Sequence, residues 1–556
     1  MFILGLMGMV NTLCHDGSAA LFKDGVIVAA SEQERFSRRK HAHGESPVEA
    51  ALFCLEYANI KLKDVDYITY GWLENDLNAS DDEVLSPWLI KSLKYSGKIL
   101  PPQKFGYKNY PPIYHVRHHI AHINSALFES GFHDAVCLVL DGQGESESIT
   151  MAEIKNGEMN IIKQFGPRFS FGIIYDAATY FCGLGNDASG KFMGLSSYGK
   201  ILKTDFIRFD PGTGVPEVPI PENNDISITF KHWLNFFKET FYPFREGNGE
   251  DVIYYIDFAA TIQQSMEKTI IALLKDLKAN TSSENLVISG GVGLNCIINK
   301  KITDSGLFKD VFVLPASNDA GCSIGSIYEL CKHLEIEIKR DKNYRFNPFL
   351  GPSYENDEIS VILKDRNINA QYLPDEEMID NISGALAENK IICWFQGRSE
   401  FGPRALGNRS IIGNPGFREN LYKINKIKKR EIWRPLAPSV LEEHYKTVFN
   451  GMVSNKLANY MLTTAQIRKE WFCKIPVVVH IDNTTRPQIV TKHDGKFYNL
   501  IKAFYHKTNL PLLINTSFNL QGEPIVNSPQ EAIISFYREK DLDILVLGNY
   551  YIDKSG

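Results

Sequence analysis

Four histidines lie within eight consecutive positions, 115–122, of the segment YHVRHHIAHINSALFESGF. His118 and His122 are four residues apart on a predicted helix, so both imidazoles project from one face one turn apart, as in a metal-binding pair. His115 and His119 form a second pair of the same spacing, which we expect on a neighbouring face of that helix. A single histidine is more often a satisfied core residue, but this density of imidazoles favours metal binding.

Acidic residues follow two predicted strands. In AVCLVLDGQGES a buried apolar strand ends at Asp141, which is followed by Gly142 and Gly144. Asp319 lies in a loop after the strand VFVLP. An acidic residue at the end of a buried strand, followed by glycines, is a common position for a metal ligand or a phosphate contact. An aspartate that merely supports a tight turn would have the same sequence pattern.

A basic stretch runs from Gly397 to Ser439. Between Arg398 and Arg434 it contains three glutamates, against ten Lys and Arg residues at positions 398, 404, 409, 418, 423, 426, 428, 429, 430 and 434. Glycines and prolines interrupt it, so the charges do not follow one helical face. Guanidinium groups held by tight turns suit bidentate capture of phosphate or carboxylate oxygens. We expect this segment to bind a polyanionic small molecule, although a basic surface loop is the simpler alternative.

Further polar groups lie at predicted strand ends and turns. NLVISGGVGLN reads as a strand, a turn at Gly290 and Gly291, and a helix, an arrangement that lets a nucleotide approach the backbone. The motif GKFMGLSSYGK contains Lys191 but lacks the spacing of a Walker A loop. A strand also breaks at NTSFN, which clusters hydroxyl and amide groups.

Near the start of the chain a hairpin is predicted around Lys23-Asp24-Gly25, because Asp-Gly suits a type I′ turn. The preceding loop ends HDGS and could cradle phosphate. The following charged cluster, from Glu32 to His41, could equally be a solvated face.

The composition bounds the class of protein. The chain has 556 residues, a formal net charge of −6, 44% hydrophobic and 23% charged residues, which predicts a soluble enzyme of two or three domains. No dense basic tail is present, so we expect no nucleic-acid or membrane-surface binding. The start MFILGLMGMV lacks a basic region, and we expect no signal peptide and no membrane span. Nine cysteines are scattered without CxxC spacing, which indicates a reducing, cytoplasmic location.

The elements that must position these groups alternate as strands and helices. They predict an α/β domain over residues 1–345, with irregular insertions near 76–112 and 201–255. The polar segment KRDKNYRFNPFLGPSYENDE is expected to be a linker. Residues 346–556 then form a second, smaller α/β domain around the basic stretch.

Several motifs occur together in one order along nearly the whole chain. They are HDGSAAL with SEQERFSRRKH, HHIAH, LVLDGQGE, GKFMGLSSYGK, ISGGVGLN, SNDAGCSIG, QGRSEFGPRALGNRS, KREIWRPLAPS, TRPQIV and NTSFNLQGEPIV. This set resembles the ATP-dependent O-carbamoyltransferases of natural-product biosynthesis, which include enzymes acting on tobramycin, cephalosporins and nodulation factors. GRSEFGPRALGNRS and NTSFNLQGEP are the specific motifs, whereas HHIAH and ISGGVGLN are shared with related proteins.

The resemblance implies an N-terminal ASKHA-like domain, of the actin and hexokinase type, followed by a YrdC-like domain. The YrdC-like domain would bind ATP, with Mg²⁺, and carbamoyl phosphate, and would form carbamoyl adenylate. The ASKHA-like domain would transfer the carbamoyl group to a hydroxyl of a small natural product at a divalent metal, by resemblance Fe²⁺. A homodimer is also expected from the resemblance. The two insertions match the family least and are expected to select the acceptor.

By matching motifs, the resemblance assigns residues to two sites. The expected metal ligands are His118, His122, Asp141 and Asp319. The expected activation site comprises Arg404, Lys428 (or Lys429), Arg434, Arg486, Asn515 and Ser517. Further substrate or nucleotide contacts are expected from Lys40, His41, Gly142, Gly144, Lys191, Gly290, Gly291, Asn295, Arg398 and Asn519, and His15 is a candidate base. Ser189 stands where the family has an acidic residue, in front of Gly190 and Lys191.

Two other functions share parts of this pattern. A tRNA threonylcarbamoylation enzyme would keep the fold and the acyl adenylate, but the chain lacks a tRNA-sized basic surface. A non-catalytic nucleotide-binding ASKHA regulator would need neither the metal-ligand candidates nor the Arg and Lys set. We therefore expect an O-carbamoyltransferase with ATP, carbamoyl phosphate and a small hydroxyl acceptor as partners.

Overall fold

A computed structural model describes residues 1–8, 14–74, 77, 82–106, 110–202, 206–210, 212–242, 244, 246–247, 251–341, 344–451 and 455–554. The remaining parts of the predicted insertions 76–112 and 201–255 lie outside the described residues.

The first part of the chain begins with a seven-stranded sheet in the order β3-β2-β1-β4-β7-β6-β5. Its strands are β1 (Phe2–Met7), β2 (Ser18–Lys23), β3 (Val26–Glu32), β4 (Tyr67–Tyr70), β5 (Glu83–Ser86), β6 (Leu89–Ser92) and β7 (Ile113–Val116). Its helices are α1 (Glu34–Ser37), α2 (Val48–Tyr57), α3 (Ser96–Ile99), α4 (Pro102–Phe105) and α5 (His118–Ser130). The predicted hairpin is confirmed: β2 and β3 are antiparallel, and Asp24 and Gly25 both have positive φ.

A second sheet has the order β10-β9-β8-β13-β14. Its strands are β8 (Ala135–Leu140), β9 (Ile149–Lys155), β10 (Glu158–Phe165), β13 (Asn285–Ser289) and β14 (Asp310–Val313), and a separate hairpin comprises β11 (Arg208–Asp210) and β12 (Val215–Glu217). The helices here are α6 (Phe171–Phe181), α7 (Ser189–Ser196), α8 (Ile226–Thr240), α9 (Ile256–Ala279), α10 (Cys296–Asp304) and α11 (Cys322–His333).

The two sheets repeat one topology. In each, the first strand pairs antiparallel with the second and the second with the third, while two parallel strands lie on its other side. These are β4 and then β7 in the first sheet, and β13 and then β14 in the second. Helices α5 and α11 pack on each other between the sheets. Helix α11 lies on β1, β2 and β4, and α5 lies on β8 and β13. This duplicated arrangement is the ASKHA fold that the resemblance implied.

The last part of the chain is built on a mixed eight-stranded sheet in the order β15-β25-β24-β16-β17-β23-β18-β22. Its strands are β15 (Gln371–Tyr372), β16 (Ile392–Phe395), β17 (Arg409–Gly413), β18 (Ala437–Leu441), β22 (Gln488–Val490), β23 (Leu512–Ser517), β24 (Ile544–Leu547) and β25 (Tyr550–Asp553). A small sheet contains β19 (Phe449–Asn450), β20 (Ala465–Ile467) and β21 (Thr484–Thr485). The helices are α12 (Asn356–Asp365), α13 (Asp375–Ala387), α14 (Glu419–Ile427), α15 (Tyr445–Val448), α16 (Asn455–Ala458), α17 (Gly495–Thr508) and α18 (Pro529–Arg538).

Apolar clusters cover both faces of this mixed sheet. One cluster joins it to α13 and α17, and another joins it to α12, α14 and α18. This agrees with the α/β, YrdC-like expectation. The division of the chain at residues 345 and 346 stays a prediction.

The two predicted insertions are more regular than the sequence indicated. Strands β5 and β6 form a hairpin that extends the first sheet beside β7. Helix α8 begins at Ile226, where Asp225 accepts hydrogen bonds from the next helical amides, and buries Trp233 and Phe237 in the core. Among the described helices, none is both long and apolar enough to cross a bilayer.

Candidate functional site

The four predicted metal ligands lie close together between the two sheets. One ligand atom each from His118, His122, Asp141 and Asp319 lies within 4.8 Å of all the others. The two imidazole Nε2 atoms are 3.1 Å apart. Asp141 Oδ2 lies 3.4 Å and Asp319 Oδ1 3.5 Å from His118 Nε2, and both lie 3.8 Å from His122 Nε2. The four residues are brought together from α5, the end of β8 and the turn before α11.

The outer nitrogens of both imidazoles have partners that orient the rings. His118 Nδ1 lies 3.0 Å from the Gly71 carbonyl oxygen, which can only accept, so Nδ1 carries the proton. The Nε2 lone pair of neutral His118 therefore points at the carboxylates. His122 Nδ1 lies 3.0 Å from Ser289 Oγ. Such outer hydrogen bonds are typical of metal-binding histidines.

The electrostatics of the cluster favour a cation at its centre. Burial opposes the charge of His118, yet Cys322 and Asp319 raise its pKa well above the usual value. Burial would raise the pKa of Asp141, but the hydrogen bond with His118 lowers it to about 2. At these distances the imidazole lone pairs and the carboxylates repel each other unless a proton or a metal ion lies between them.

The residues fit a metal ion. With metal–ligand bonds of about 2.0–2.2 Å, neighbouring ligand atoms lie about 3–4 Å apart. The N–N and N–O distances here, 3.1–3.8 Å, lie in that range. Two imidazoles and two carboxylates suit Fe²⁺, Mn²⁺ or Zn²⁺, and the donor types alone do not choose among them.

The second predicted imidazole pair does not form. His115 lies at the end of β7, before α5 begins at His118, so it does not share a helix with His119. His115 Nδ1 contacts the Trp72 carbonyl oxygen, and His119 Nδ1 contacts Thr150 Oγ1 at 2.7 Å. Burial lowers both pKa values, to about 4 for His115 and about 3 for His119. Both rings are neutral core groups.

Cys322 joins the site without having been predicted. Its sulfur lies within 4.8 Å of a nitrogen of His118 and of His122. Burial would raise the pKa of this thiol, but His122 and His118 lower it. A single cysteine in SNDAGCSIG carries no spacing signal, which is why sequence reasoning missed it.

His15 and His41 meet at Asp16, beside the metal cluster. Asp16 Oδ2 lies 3.0 Å from His15 Nδ1, and Asp16 Oδ1 lies 2.7 Å from His41 Nδ1. Burial opposes the charge on His15, but Asp319 and Asp16 raise its pKa to about 10. The His15 side chain is 47% exposed, so its ring is accessible from solvent. Lys40, also exposed, acts electrostatically on Lys428.

The turn at Gly290 and Gly291 lies directly against the four candidate metal ligands. Gly290 has φ of +88°, and a Cβ there would lie 2.2 Å from the Leu140 carbonyl oxygen. The Gly291 amide donates to Asp141 Oδ1 at 3.1 Å. Asn295 caps α10 by accepting from two backbone amides, and its Nδ2 donates to Gln263, so its side chain has a structural role here.

Gly142 and Gly144 extend from Asp141. The Gly142 carbonyl oxygen accepts from the hydroxyls of Ser148 and Ser170. A Cβ at Gly144 would lie 2.8 Å from the His119 ring. The Gly144 position therefore requires close packing, whereas a Cβ at Gly142 would meet nothing within 4 Å, and a nucleotide contact at either position stays a prediction.

The predicted basic residues form a second cluster at the basic stretch. Burial, with the nearby charge of Arg486, lowers the pKa of Arg404 to about 9. Burial and the charges of Arg434 and Arg486 lower that of Arg430 to about 9. Nε of Arg404 and Nε of Arg486 are buried and make no hydrogen bond to any residue that the structure describes. Several like charges are thus held together with few carboxylates.

Lys428, rather than Lys429, faces this cluster. Lys428 Nζ donates to Ser517 Oγ at 3.0 Å and also to Asn519 Oδ1. Burial, with the charge of Arg430, lowers its pKa well below the usual value. Lys429 is exposed and lies 3.8 Å from Glu539.

Asn515 lies behind this cluster on β23. Its Nδ2 donates to Ser439 Oγ and Gln488 Oε1, while its buried Oδ1 has no hydrogen-bond partner among the described residues. Arg398 lies apart: its Nε donates to the Gly351 carbonyl oxygen and its guanidinium stacks on Tyr57 at 4.2 Å. The structure does not bring Arg398 to the other predicted residues.

The two clusters belong to adjoining surfaces. Lys191 of α7 lies 3.3 Å from Glu431, and the Tyr198 hydroxyl donates to the Trp433 carbonyl oxygen at 2.7 Å. The loop at Gly402 packs so closely on the loop before Asp319 that a Cβ on Gly402 would lie 2.9 Å from the Pro315 carbonyl oxygen. Arg430, missed within the run KKR, is the further basic residue that this geometry adds to the predicted set.

Comparison with known proteins identifies the class. Residues 5–328 match the family model "Carbamoyltransferase N-terminus", and residues 383–554 match "Carbamoyltransferase C-terminus". The chain therefore belongs to the carbamoyltransferase family of enzymes.

Named relatives cover most of the chain. It is 33% identical to nodulation protein NolNO of Sinorhizobium fredii, over 99% of this chain and 80% of that protein. It is 32% identical to nodulation protein NolO of Bradyrhizobium diazoefficiens, over 79% of each. An uncharacterised Synechocystis protein is 33% identical over 98% of this chain and 96% of its own length. The named relatives are nodulation proteins, not proteins of antibiotic biosynthesis.

Solved structures with a partial likeness are more distant. Full-length HypF in the phosphate- and nucleotide-bound form is 14% identical with a TM-score of 0.33, over 61% of this chain and 56% of that one. The activator of 2-hydroxyisocaproyl-CoA dehydratase from Clostridium difficile is 12% identical with a TM-score of 0.35, over 62% of this chain and 100% of that one.

Proposed function

We propose that this carbamoyltransferase makes carbamoyl adenylate from carbamoyl phosphate and ATP at the basic cluster. It then transfers the carbamoyl group to a hydroxyl of a small acceptor at the metal cluster. The observation that carries the proposal is the concentration of half-buried guanidinium groups around Arg404, where Nε of Arg404 and Nε of Arg486 are buried without a hydrogen-bond partner among the described residues. Membership of the family and the adjoining metal cluster support the second step.

The basic cluster suits two polyanions that must react with each other. Burial and the charges of neighbouring arginines lower the pKa values of Arg404, Arg430 and Arg434. Bound phosphate oxygens would offset both effects. Guanidinium groups, held in place before substrate arrives, stabilise the charge that develops on a displaced pyrophosphate. The unpaired Asn515 Oδ1 can accept a hydrogen bond from a carbamoyl NH₂ group.

Carbamoyl adenylate would form in two steps. Carbamoyl phosphate and water give carbamate and phosphate, and a carbamate oxygen then displaces pyrophosphate from the α-phosphorus of ATP. Lys428 donates three hydrogen bonds to Ser517 and Asn519, and these orient its ammonium group toward the end of β23, where the carbamoyl group would bind in this proposal. Mg²⁺ would accompany ATP.

The metal cluster suits the second reaction. A divalent ion held by His118, His122, Asp141 and Asp319 would polarise the carbamoyl carbonyl or lower the pKa of the acceptor hydroxyl. His15 lies with Nδ1 on Asp16, and once a divalent ion offsets the charge of Asp319, which raises the His15 pKa to about 10, Nε2 would be free to take the hydroxyl proton. The bond between the carbamoyl carbon and the bridging phosphate oxygen then breaks, and AMP leaves with that electron pair, carrying one more negative charge than it had in the adenylate. Fe²⁺ as the native ion rests on the resemblance alone.

Carbamoyl adenylate hydrolyses readily, so a protected path between the sites would help. The contacts from Lys191 to Glu431 and from Tyr198 to Trp433 lie where the two clusters adjoin. We propose that these contacts close the side of that path.

The test is an incubation with ATP, carbamoyl phosphate and Mg²⁺ without acceptor, following AMP and pyrophosphate. Wild type is compared with Arg404→Ala and His118→Ala, and with Arg418→Ala as an exposed basic control. We expect pyrophosphate from wild type, His118→Ala and Arg418→Ala. Arg404→Ala should lose at least two orders of magnitude in rate, as removal of roughly 3–4 kcal/mol of charge stabilisation predicts.

If Arg404→Ala releases pyrophosphate at the wild-type rate, activation does not occur at this cluster. If no protein does, the adenylate reaction is wrong, and a nucleotide-binding regulator becomes the better function. Carbamoylation of tRNA in place of a small acceptor would support the threonylcarbamoylation-type alternative, which the net charge of −6 disfavours.

A further inference from the structure

The two imidazoles of the metal cluster belong to two donor sets. One set is His118 and His122 with the carboxylates of Asp141 and Asp319. The other is the same two histidines with the thiol of Cys322, whose ligand atoms also all lie within 4.8 Å of one another. The Cys322 sulfur and the two carboxylates do not belong to one set of five ligands that meets this distance criterion.

The protein holds the thiol tightly in this place. Cys322 begins α11, directly after the turn of residues 319–321 that carries Asp319. Gly71, at the end of β4, lies against it, since a Cβ on Gly71 would be 2.9 Å from Cys322 Cβ. The Gly71 carbonyl oxygen is also the partner of His118 Nδ1. One backbone position therefore fixes both the thiol and one imidazole, and Cys322 is fully buried.

The two sets differ in the ions they prefer. Carboxylates with imidazoles suit Mn²⁺ and Fe²⁺, whereas a thiolate with imidazoles suits softer ions such as Cd²⁺ and Cu⁺, and Zn²⁺ accepts either set. Because both sets use both imidazoles, ions of the two kinds exclude each other.

We propose that His118, His122 and Cys322 form a second metal-binding set, which takes soft thiophilic ions and competes with the carboxylate-containing set. On binding, the S–H bond of Cys322 breaks, its proton goes to solvent, and a sulfur–metal bond forms. No change of oxidation state is needed. The consequence is inhibition of the metal-dependent step by soft ions, with reversal by chelation.

The test uses Cd²⁺ alone on the full-length chain carrying Cys473→Ser, because Cys473 is the exposed cysteine of the nine. We expect one Cd²⁺ to bind per chain, with the near-ultraviolet absorption of a sulfur-to-cadmium charge transfer and release of one proton. Cys322→Ser should abolish the absorption. Asp141→Asn should keep it, since this set does not need the carboxylate.

Cys331→Ser is the matched control, because Cys331 is a buried cysteine of the same helix, outside either donor set. It should keep the absorption, and circular dichroism checks that each variant is folded. Cd²⁺ binding without charge transfer, or charge transfer that persists in Cys322→Ser, overturns the proposal, as does absence of Cd²⁺ binding. Mn²⁺ binding, measured on the same samples, tests the carboxylate-containing set separately, so failure of one proposal is distinguishable from failure of the other.

Discussion

His118 and His122 share one face of α5 because residues four apart in a helix project in nearly the same direction. Their Nε2 atoms approach to 3.1 Å, and two carboxylates from distant parts of the chain complete the set. The imidazole pair could be predicted from spacing alone. The approach of Asp319 depends on the packing of α11 against α5, which no local pattern records.

Removing one imidazole should weaken metal binding. We expect His122→Ala to lower Mn²⁺ affinity by at least roughly tenfold, since even loss of an outer hydrogen bond to a ligand costs about that much. The measurement is metal content after dialysis against a series of Mn²⁺ concentrations. His119→Gln, on the same helix but outside the set, should bind Mn²⁺ as wild type does. Equal affinities for all three proteins would refute the assigned ligands.

Asp176 gives stability a pH dependence. Residue Asp176 is exposed, so partial desolvation by its neighbours, opposed by the hydrogen bond from Ser189, raises the pKa of its carboxyl group from 3.8 to about 6. The folded chain therefore holds this proton more tightly than the unfolded chain, so stability falls as pH rises from about 4 to 6 and stays lower above. Asp176→Asn removes that loss. Its melting temperature should equal that of wild type near pH 4 and exceed it at pH 7, and a difference independent of pH would contradict the assignment.

Sequence patterns did not predict the role of a residue where that role depends on its neighbours in the folded structure. His115 has helical spacing to His119, but the chain enters α5 only at His118, so the two rings lie in different elements. Arg430 stands in a run of three basic residues and is distinguished from exposed Lys429 only by the direction of its side chain.

At the scale of elements, the turns at strand ends place the reactive groups. The turn after β13 brings the Gly291 amide to Asp141, and α10 begins directly beyond it. The strand, turn and helix could be predicted from ISGGVGLN, because glycines punctuate the change from one periodicity to another. The regular structure inside the two insertions could not, since it depends on tertiary packing of aromatic side chains.

In the turn after β13, we expect Gly290 to tolerate no side chain. Gly290→Ala adds a methyl group 2.2 Å from the Leu140 carbonyl oxygen at φ of +88°, so the turn must shift and Asp141 with it. We expect lower stability and lower Mn²⁺ affinity together, measured by urea unfolding and metal content. In contrast, Gly384→Ala lies inside α13 with open space around it and should be neutral or stabilise by up to about 1 kcal/mol. A Gly290→Ala protein that matches wild type in both measurements would contradict this view of the turn.

At the scale of the whole molecule, a buried ion pair joins distant parts of the chain. Arg35 is 1% exposed; its Nη2 lies 3.2 Å from Glu32 and donates to the Gly402 carbonyl oxygen at 2.7 Å. The Gly402 amide donates to the same Glu32 oxygen at 2.7 Å. The loop that leads to Arg404 is thus held against the first sheet.

Breaking this pair should loosen the molecule. Arg35→Met leaves Glu32 buried without its partner and should destabilise the chain by about 3 kcal/mol or more. Arg39→Met removes an exposed pair with Glu45 and should cost no more than about 1 kcal/mol. The midpoints of the first urea transition give the comparison. Equal midpoints for the two variants would mean that Arg35 does not hold the loop.

The most direct test of the central claim is exchange of labelled pyrophosphate into ATP. Formation of carbamoyl adenylate is reversible, so labelled pyrophosphate should enter ATP when carbamoyl phosphate is present, without acceptor and without the transfer-site metal. We predict exchange in wild type and His118→Ala and its loss in Arg404→Ala. Exchange that does not require carbamoyl phosphate, or that persists in Arg404→Ala, would contradict an adenylate-forming site at the basic cluster.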